Sequence, residues 1–303
     1  VMSLLAESGE LWAEYIGLCL HPDYKISSKH ALRISNSLKT ICQSLFAACD
    51  EKEAGPLVRP LLAALAQAGA EDRFVLVDAL CHVPCGYLPQ EKLPELVQQL
   101  AAMPGTGNPE LDIIVLHELL RLAHAVPALQ AQIRAAMRGY RPQWEDHLAH
   151  DWLRARLLGE AQPEPDAQTI SRIHLSNLKN AVHWTVKLTQ INILTQYVRS
   201  HPDAAFHTAL HFSNLLCVSE HLPVREAAGN ALLAIAPQLL VDQINEIVID
   251  LTRELESGQE QISRFIPPYL GRLLCQLPEK ELHESVESIG ALACGASIRP
   301  ARV

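Results

Sequence analysis

At 303 residues the chain is long for one compact core and suits either two domains or units stacked in one direction. Apolar residues make up 49% and aromatics only 5%, with a mean hydropathy of +0.07, so Leu and Ala supply the interior and favour closely approaching helices. A formal charge of −9 disfavours phosphate backbones as partners, and no apolar run reaches the roughly 18 residues of a membrane span.

Apolar positions recur at three- and four-residue intervals almost throughout, which predicts an all-α chain. In order, helices are expected over 2–20, 27–49, 56–68, 71–82, 90–103, 109–125, 127–139, 142–158, 168–182, 184–200, 202–218, 223–236, 238–256, 259–275 and 278–293. Pro56, Pro109, Pro127, Pro142, Pro202, Pro223 and Pro278 fall near these starts, where a fixed φ and a missing N–H do no harm. The opening "VMSLLAESGE" lacks the basic head and cleavage site of a secretory signal, and Val1 ahead of Met2 reads as an excised fragment or an incomplete terminus. Eight cysteines are scattered through apolar stretches such as "IGLCL", "FAACD", "LLCVS" and "RLLCQL". Buried thiols in a reducing compartment, the cytoplasm, are therefore expected.

Connections are short, so consecutive helices should pair as antiparallel hairpins. "PGTGNPE" (104–110) and "GEAQPEPDAQ" (159–168) break the rhythm with Pro, Gly and polar residues. The second gives the division: an N-terminal helical region over 1–160, a linker over 161–168 and a more regular array over 169–303.

Within that array, "LPVREAAGNALLAIAP" places Pro223 in a first helical turn, Val224 at the helix entrance and Arg225 where it can reach neighbouring turns. Ala227, Ala228, Ala231 and Leu232 then form a close-packing stripe. This resembles the second helix of a HEAT repeat, whose motif runs from Pro or Asp through Val-Arg to small residues and Ala-Leu. Weaker units resembling HEAT or armadillo repeats are "WTVKLTQINILTQYVRSHP" (184–202) and "QISRFIPPYLGRLLCQLP" (261–278), which lack Val-Arg, while Pro60 interrupts the Val58-Arg59 pair of the N-terminal region. The likeness is best over 202–293. It implies an α-solenoid of antiparallel helix pairs in a right-handed superhelix, each pair burying its apolar face on the next.

Several constellations invite chemistry. His150-Asp151 in "QWEDHLAHDWLRARLL", with His117 upstream, resembles the dyad of HD-type metal-dependent phosphohydrolases; Asp166 or Asp203 would have to complete the site. His207 and His211 lie at i, i+4 and could face one metal, although Thr208 stands between them where a zinc protease needs Glu. Cys81-His82 with Cys85 offers three soft ligands but no second pair for a closed zinc site. The dyads His117-Glu118 and His283-Glu284 resemble those of helical-repeat hydroxylases without their symmetric repetition. Trp144, Asp151, Trp152, Arg154 and Arg156, and then Lys179, His183, Trp184 and Lys187, resemble the residue types around a lesion in helical-repeat DNA glycosylases.

The sequence reading is an interaction scaffold or regulatory repeat module with a protein partner, no metal and no cofactor. Its expected surface or groove residues are Trp184, Lys187, His211, Asn214, Arg225 and Asn230, with Arg225 also suited to bracing neighbouring units. The alternatives are a phosphohydrolase with His117, His150 and Asp151 as catalytic residues, and a nucleic-acid-binding repeat protein such as a glycosylase.

Overall fold

The computed structural model describes residues 2–21, 28–141, 148–177, 183–256 and 264–295; every regular element among them is helical and none is a strand. The chain divides into two compact units, Val1–Pro163 and Glu164–Val303. The first holds α1 (Met2–Leu20), α2 (Ser28–Ala48), α3 (Glu51–Gln67), α4 (Ala70–Leu80), α5 (Leu93–Ala101), α6 (Pro109–Ala125), α7 (Gln130–Met137) and α8 (Leu148–Leu158). The second holds α9 (Ala167–Asn177), α10 (Trp184–Ser200), α11 (Ala205–Val218), α12 (Leu222–Ile235), α13 (Val241–Glu256), α14 (Pro267–Leu274) and α15 (Glu279–Gly295).

Helix α3 starts five residues before the Pro56 expected to open it, because Asp50 forms a capping box. Its carboxylate accepts the N–H groups of Lys52 and Glu53 at 2.9 and 3.0 Å, and the Glu53 side chain accepts the Asp50 N–H. Pro56 and Pro60 thus lie inside the helix. Helix α1 packs on this stretch: a Cβ on Gly9 would stand 3.3 Å from the Pro56 Cβ, and Trp12 Nε1 donates to the Leu57 carbonyl at 2.9 Å. At Pro127, Pro202 and Pro237 the chain first makes a single 3-10 turn and the α-helix follows, which moves α7, α11 and α13 three residues beyond their expected starts. The expected helical residues 142–147, 178–182 and 259–263 lie outside the described residues.

In the first unit α6 is the central element. Leu111, Ile114, Val115, Leu116, Leu119 and Leu122 are buried on all its sides, and it packs on α4, α5 and α8. Of its two deeply buried acids, Glu118 is fully enclosed and holds Arg121 through two bonds of 2.6 and 2.7 Å. Arg121 also donates to Val83 O at 2.7 Å and Leu80 O at 3.4 Å, satisfying carbonyls beyond the end of α4. Asp112 in the first turn does similar service, accepting the Gly105 N–H and the Tyr140 hydroxyl at 3.0 Å each; Gly105 has φ +84°, a conformation that favours glycine.

In the second unit α10 packs on α12, α11 on both α12 and α13, α12 on α14, and α13 on α14 and α15, while α9 lies against α10 and α11. The core is Leu194, Val198, Phe212, Leu216, Val224, Ala228, Leu232, Ile247 and Leu273, all fully enclosed. Pro223 sits in the first turn of α12 and Val224 is sealed inside. Arg225 donates from Nε to Ser219 O and lies 5.2 Å from the ring of Phe265, tying the start of α12 to the approach of α14.

Candidate functional site

A group of titratable side chains, most of them buried, forms where α9, α10 and α11 meet. Ile170 and Ile173 bury one face of α9, and the same face carries His174 inward. Its ring meets His207 at 4.7 Å between centroids and 89°, and His211 at 4.8 Å and 68°. The i, i+4 spacing of His207 and His211 places both on one side of α11, with Thr208 between them 3.5 Å from His174 Nε2. Lys187 comes from α10, close enough to His211 to act on it, and is 7% exposed.

Burial is the first cause of the unusual basicity here. It lowers His174 to about 4, helped by His207, and His211 to about 3, helped by His174, His207 and Lys187. It also lowers Lys187, which the Glu220 carboxylate partly restores. The buried imidazoles are therefore neutral at pH 7. Among the described residues no group of three or more His, Cys, Asp or Glu is placed to hold a metal ion.

Of the six residues expected at a surface or groove, the structure gathers Trp184, Lys187 and Arg225 around residues 219–221. Ser219 O accepts from Arg225, Glu220 acts on Lys187, and the His221 ring lies 6.3 Å from Trp184. Trp184, Lys187, His211 and Arg225 are all buried, at 2–7% exposure, so they act inside the helix stack; Asn214 and Asn230 are exposed. The sequence signalled His207 with His211 by spacing, whereas His174 had no local signal, its partners lying more than thirty residues on.

A ring nitrogen of His150, Nε2, lies 3.1 Å from Pro109 O at the start of α6, while His117 is eight residues further along that helix, about 12 Å at the usual rise. Asp166 accepts the Thr169 N–H at 2.7 Å and caps α9. Glu118 is taken by Arg121, and His283 pairs along its own helix with Glu287 at 3.2 Å. Burial pushes the Cys81 thiol far up, and His82 Nδ1 lies 3.4 Å from the Gln43 amide. Of the glycosylase-like residues, Trp152 is buried beneath Arg156 at 5.7 Å, and Arg154 binds Tyr140 O and Glu160; Trp144 and Lys179 lie outside the described residues.

Two clefts open on the first unit. One, of about 260 Å³, is lined by His124, Arg134 and Arg156, but these stand in the last turns of α6, α7 and α8, where cations offset the carbonyl ends of helices. The other, of about 330 Å³, lies between α3 and α5. Leu62, Ala63, Ala66 and Leu96 give it apolar walls, and Arg59, Glu91, Lys92 and Glu95 line it with charge. Lys92 and Glu95 pair at 3.2 Å, whereas among the described residues neither Arg59 nor Glu91 has an ion-pair partner. No helix among the described residues is long and apolar enough to cross a membrane. No family model, no curated protein and no solved structure matches the chain.

Proposed function

We propose that the chain is a HEAT-like interaction module that seats the apolar face of a partner protein's amphipathic helix in the groove between α3 and α5. The groove itself carries this reading: apolar walls for an aliphatic anchor, with Arg59 and Glu91 left to meet an acid and a base of the incoming helix. The repeat character is supported by packing between second neighbours in the chain. Helix α1 rests on α3, α2 on α4, α4 on α6, α6 on α8, α10 on α12 and α11 on α13, the relation expected where pairs are laid one on the next. Eight free thiols support a reducing, cytoplasmic setting.

Ala66 lines the groove and is exposed, so Ala66→Arg fills it without touching the core. Parallel capture from lysate with the wild-type chain and this variant should retain a protein on the first and lose it on the second, with melting temperatures within about 2 °C of each other. Identical retention by both chains, or none by either, overturns the assignment.

A further inference from the structure

His174 reaches its site from α9, a helix of 11 residues whose described buried side chains are Ile170, Ile173 and His174. Among the described residues its titratable neighbours are bases. His207 and His211 face it from α11, at 4.7 and 4.8 Å between ring centres; Lys187 of α10 acts on His211; Thr208 contributes a neutral hydroxyl. Glu220, from the connection between α11 and α12, is an acid that acts on Lys187. A proton added to the buried cluster thus puts a cation in a poorly solvated place among other bases.

We propose that His174, wedged edge-on between His207 and His211, is an acid-operated latch that holds α9 on α10 and α11 at neutral pH and lets it go on acidification. The docked helix keeps the imidazole neutral, and release returns it to water, where it takes up a proton. Two features make α9 the element that moves. Its described side chains bury one short face, and its packing partners α10 and α11 each pack on α12.

The size of the effect follows from the difference between about 4 in place and the ordinary 6.5 in water. Linkage then raises the released-to-docked ratio about 4-fold at pH 6 and about 30-fold at pH 5. His207 is exposed at the rim of the cluster and gives protons a route in.

The test is hydrogen exchange on the whole chain at pH 7.5 and pH 5.0, read as protection factors so that the intrinsic pH dependence of exchange is removed. Amides of 167–177 should lose about 30-fold in protection between the two conditions while those of α12 hold. In His174→Leu, which keeps an apolar plug and cannot charge, α9 should stay protected at pH 5.0. Unchanged α9 protection in the wild-type chain overturns the latch, as does an equal loss in the variant. A proton NMR titration of the wild-type His174 ring decides independently of any variant: a midpoint near 6.5 defeats the proposal, and one well below it supports the neutral docked form.

Discussion

Gly229 on α12 lies directly beneath the ring of Tyr269 on α14: a Cβ built on the glycine would come within 2.5 Å of both Cε1 and Cζ. The Tyr269 hydroxyl also reaches the Glu226 carbonyl, at 3.4 Å. In a helix interior Gly→Ala is ordinarily worth up to about 1 kcal/mol of stability. Here the ring must swing away, so Gly229→Ala should destabilise by about 1–3 kcal/mol, the usual cost of overpacking. In a Tyr269→Ala background the same change should become neutral or stabilising. Urea melts of the two single variants and the double variant give the coupling directly, and additivity within about 0.5 kcal/mol rules out the contact.

Asp50 decides where α3 begins. Asp50→Ala removes the acceptor for two N–H groups and should cost about 1 kcal/mol. Asp50→Asn keeps an oxygen acceptor and should recover most of that loss in thermal melts. If both variants melt like the wild type, the helix start is set by the packing of Gly9 and Trp12 on α3 and not by the cap.

That helix shows where the sequence spoke clearly and where it did not. "DEKE" carries the capping-box spacing, yet Pro56 pointed to a later start, because a proline inside a helix is costly unless tertiary contacts hold it. The bounds of α1, α6 and α10 were legible from periodicity, with cap or proline signals at their ends. The site was legible only in pieces. Spacing along α11 joins His207 to His211, and the Val-Arg pair of α12 gives Arg225 its bracing role. Burial was hidden on α10, whose inward face carries Thr185, Lys187 and Thr189 among the aliphatics and so blurs the amphipathic stripe. His174 belongs to a different helix with no repeat in register, and only tertiary packing delivers it. The apolar groove is formed by α3 and α5 together, so neither helix alone reveals it.

Glu118 and Arg121 should behave as one unit. Removing the acid in Glu118→Ala leaves a mostly enclosed guanidinium without its counter-charge, at a cost of about 3–5 kcal/mol. Arg121→Lys keeps the charge but loses the two-pronged bond to Glu118 and the reach to Val83 O, so it should still be clearly destabilising. Chemical denaturation distinguishes these: an Arg121→Lys chain as stable as wild type would show that charge alone, without the fork geometry, suffices.

The second unit should lose stability on mild acidification through His174 and His211 together. Both titrate lower in the folded chain than the ordinary 6.5, at about 4 and about 3, so the unfolded chain binds more protons and folding stability rises with pH. The contribution is complete above about pH 6.5 and is lost progressively as pH falls from there towards 4 and 3. Between pH 7 and pH 5 each group should cost about 1–2 kcal/mol. Carboxylates titrate in the lower part of the same range, so the informative quantity is a difference between chains. The pH 7 to pH 5 drop measured by urea denaturation should be smaller by about 1–2 kcal/mol in His211→Leu than in the wild type, and smaller again when His174→Leu is added. Equal drops in all three chains would mean that both imidazoles already titrate normally in the folded state, and that the cluster is open to water.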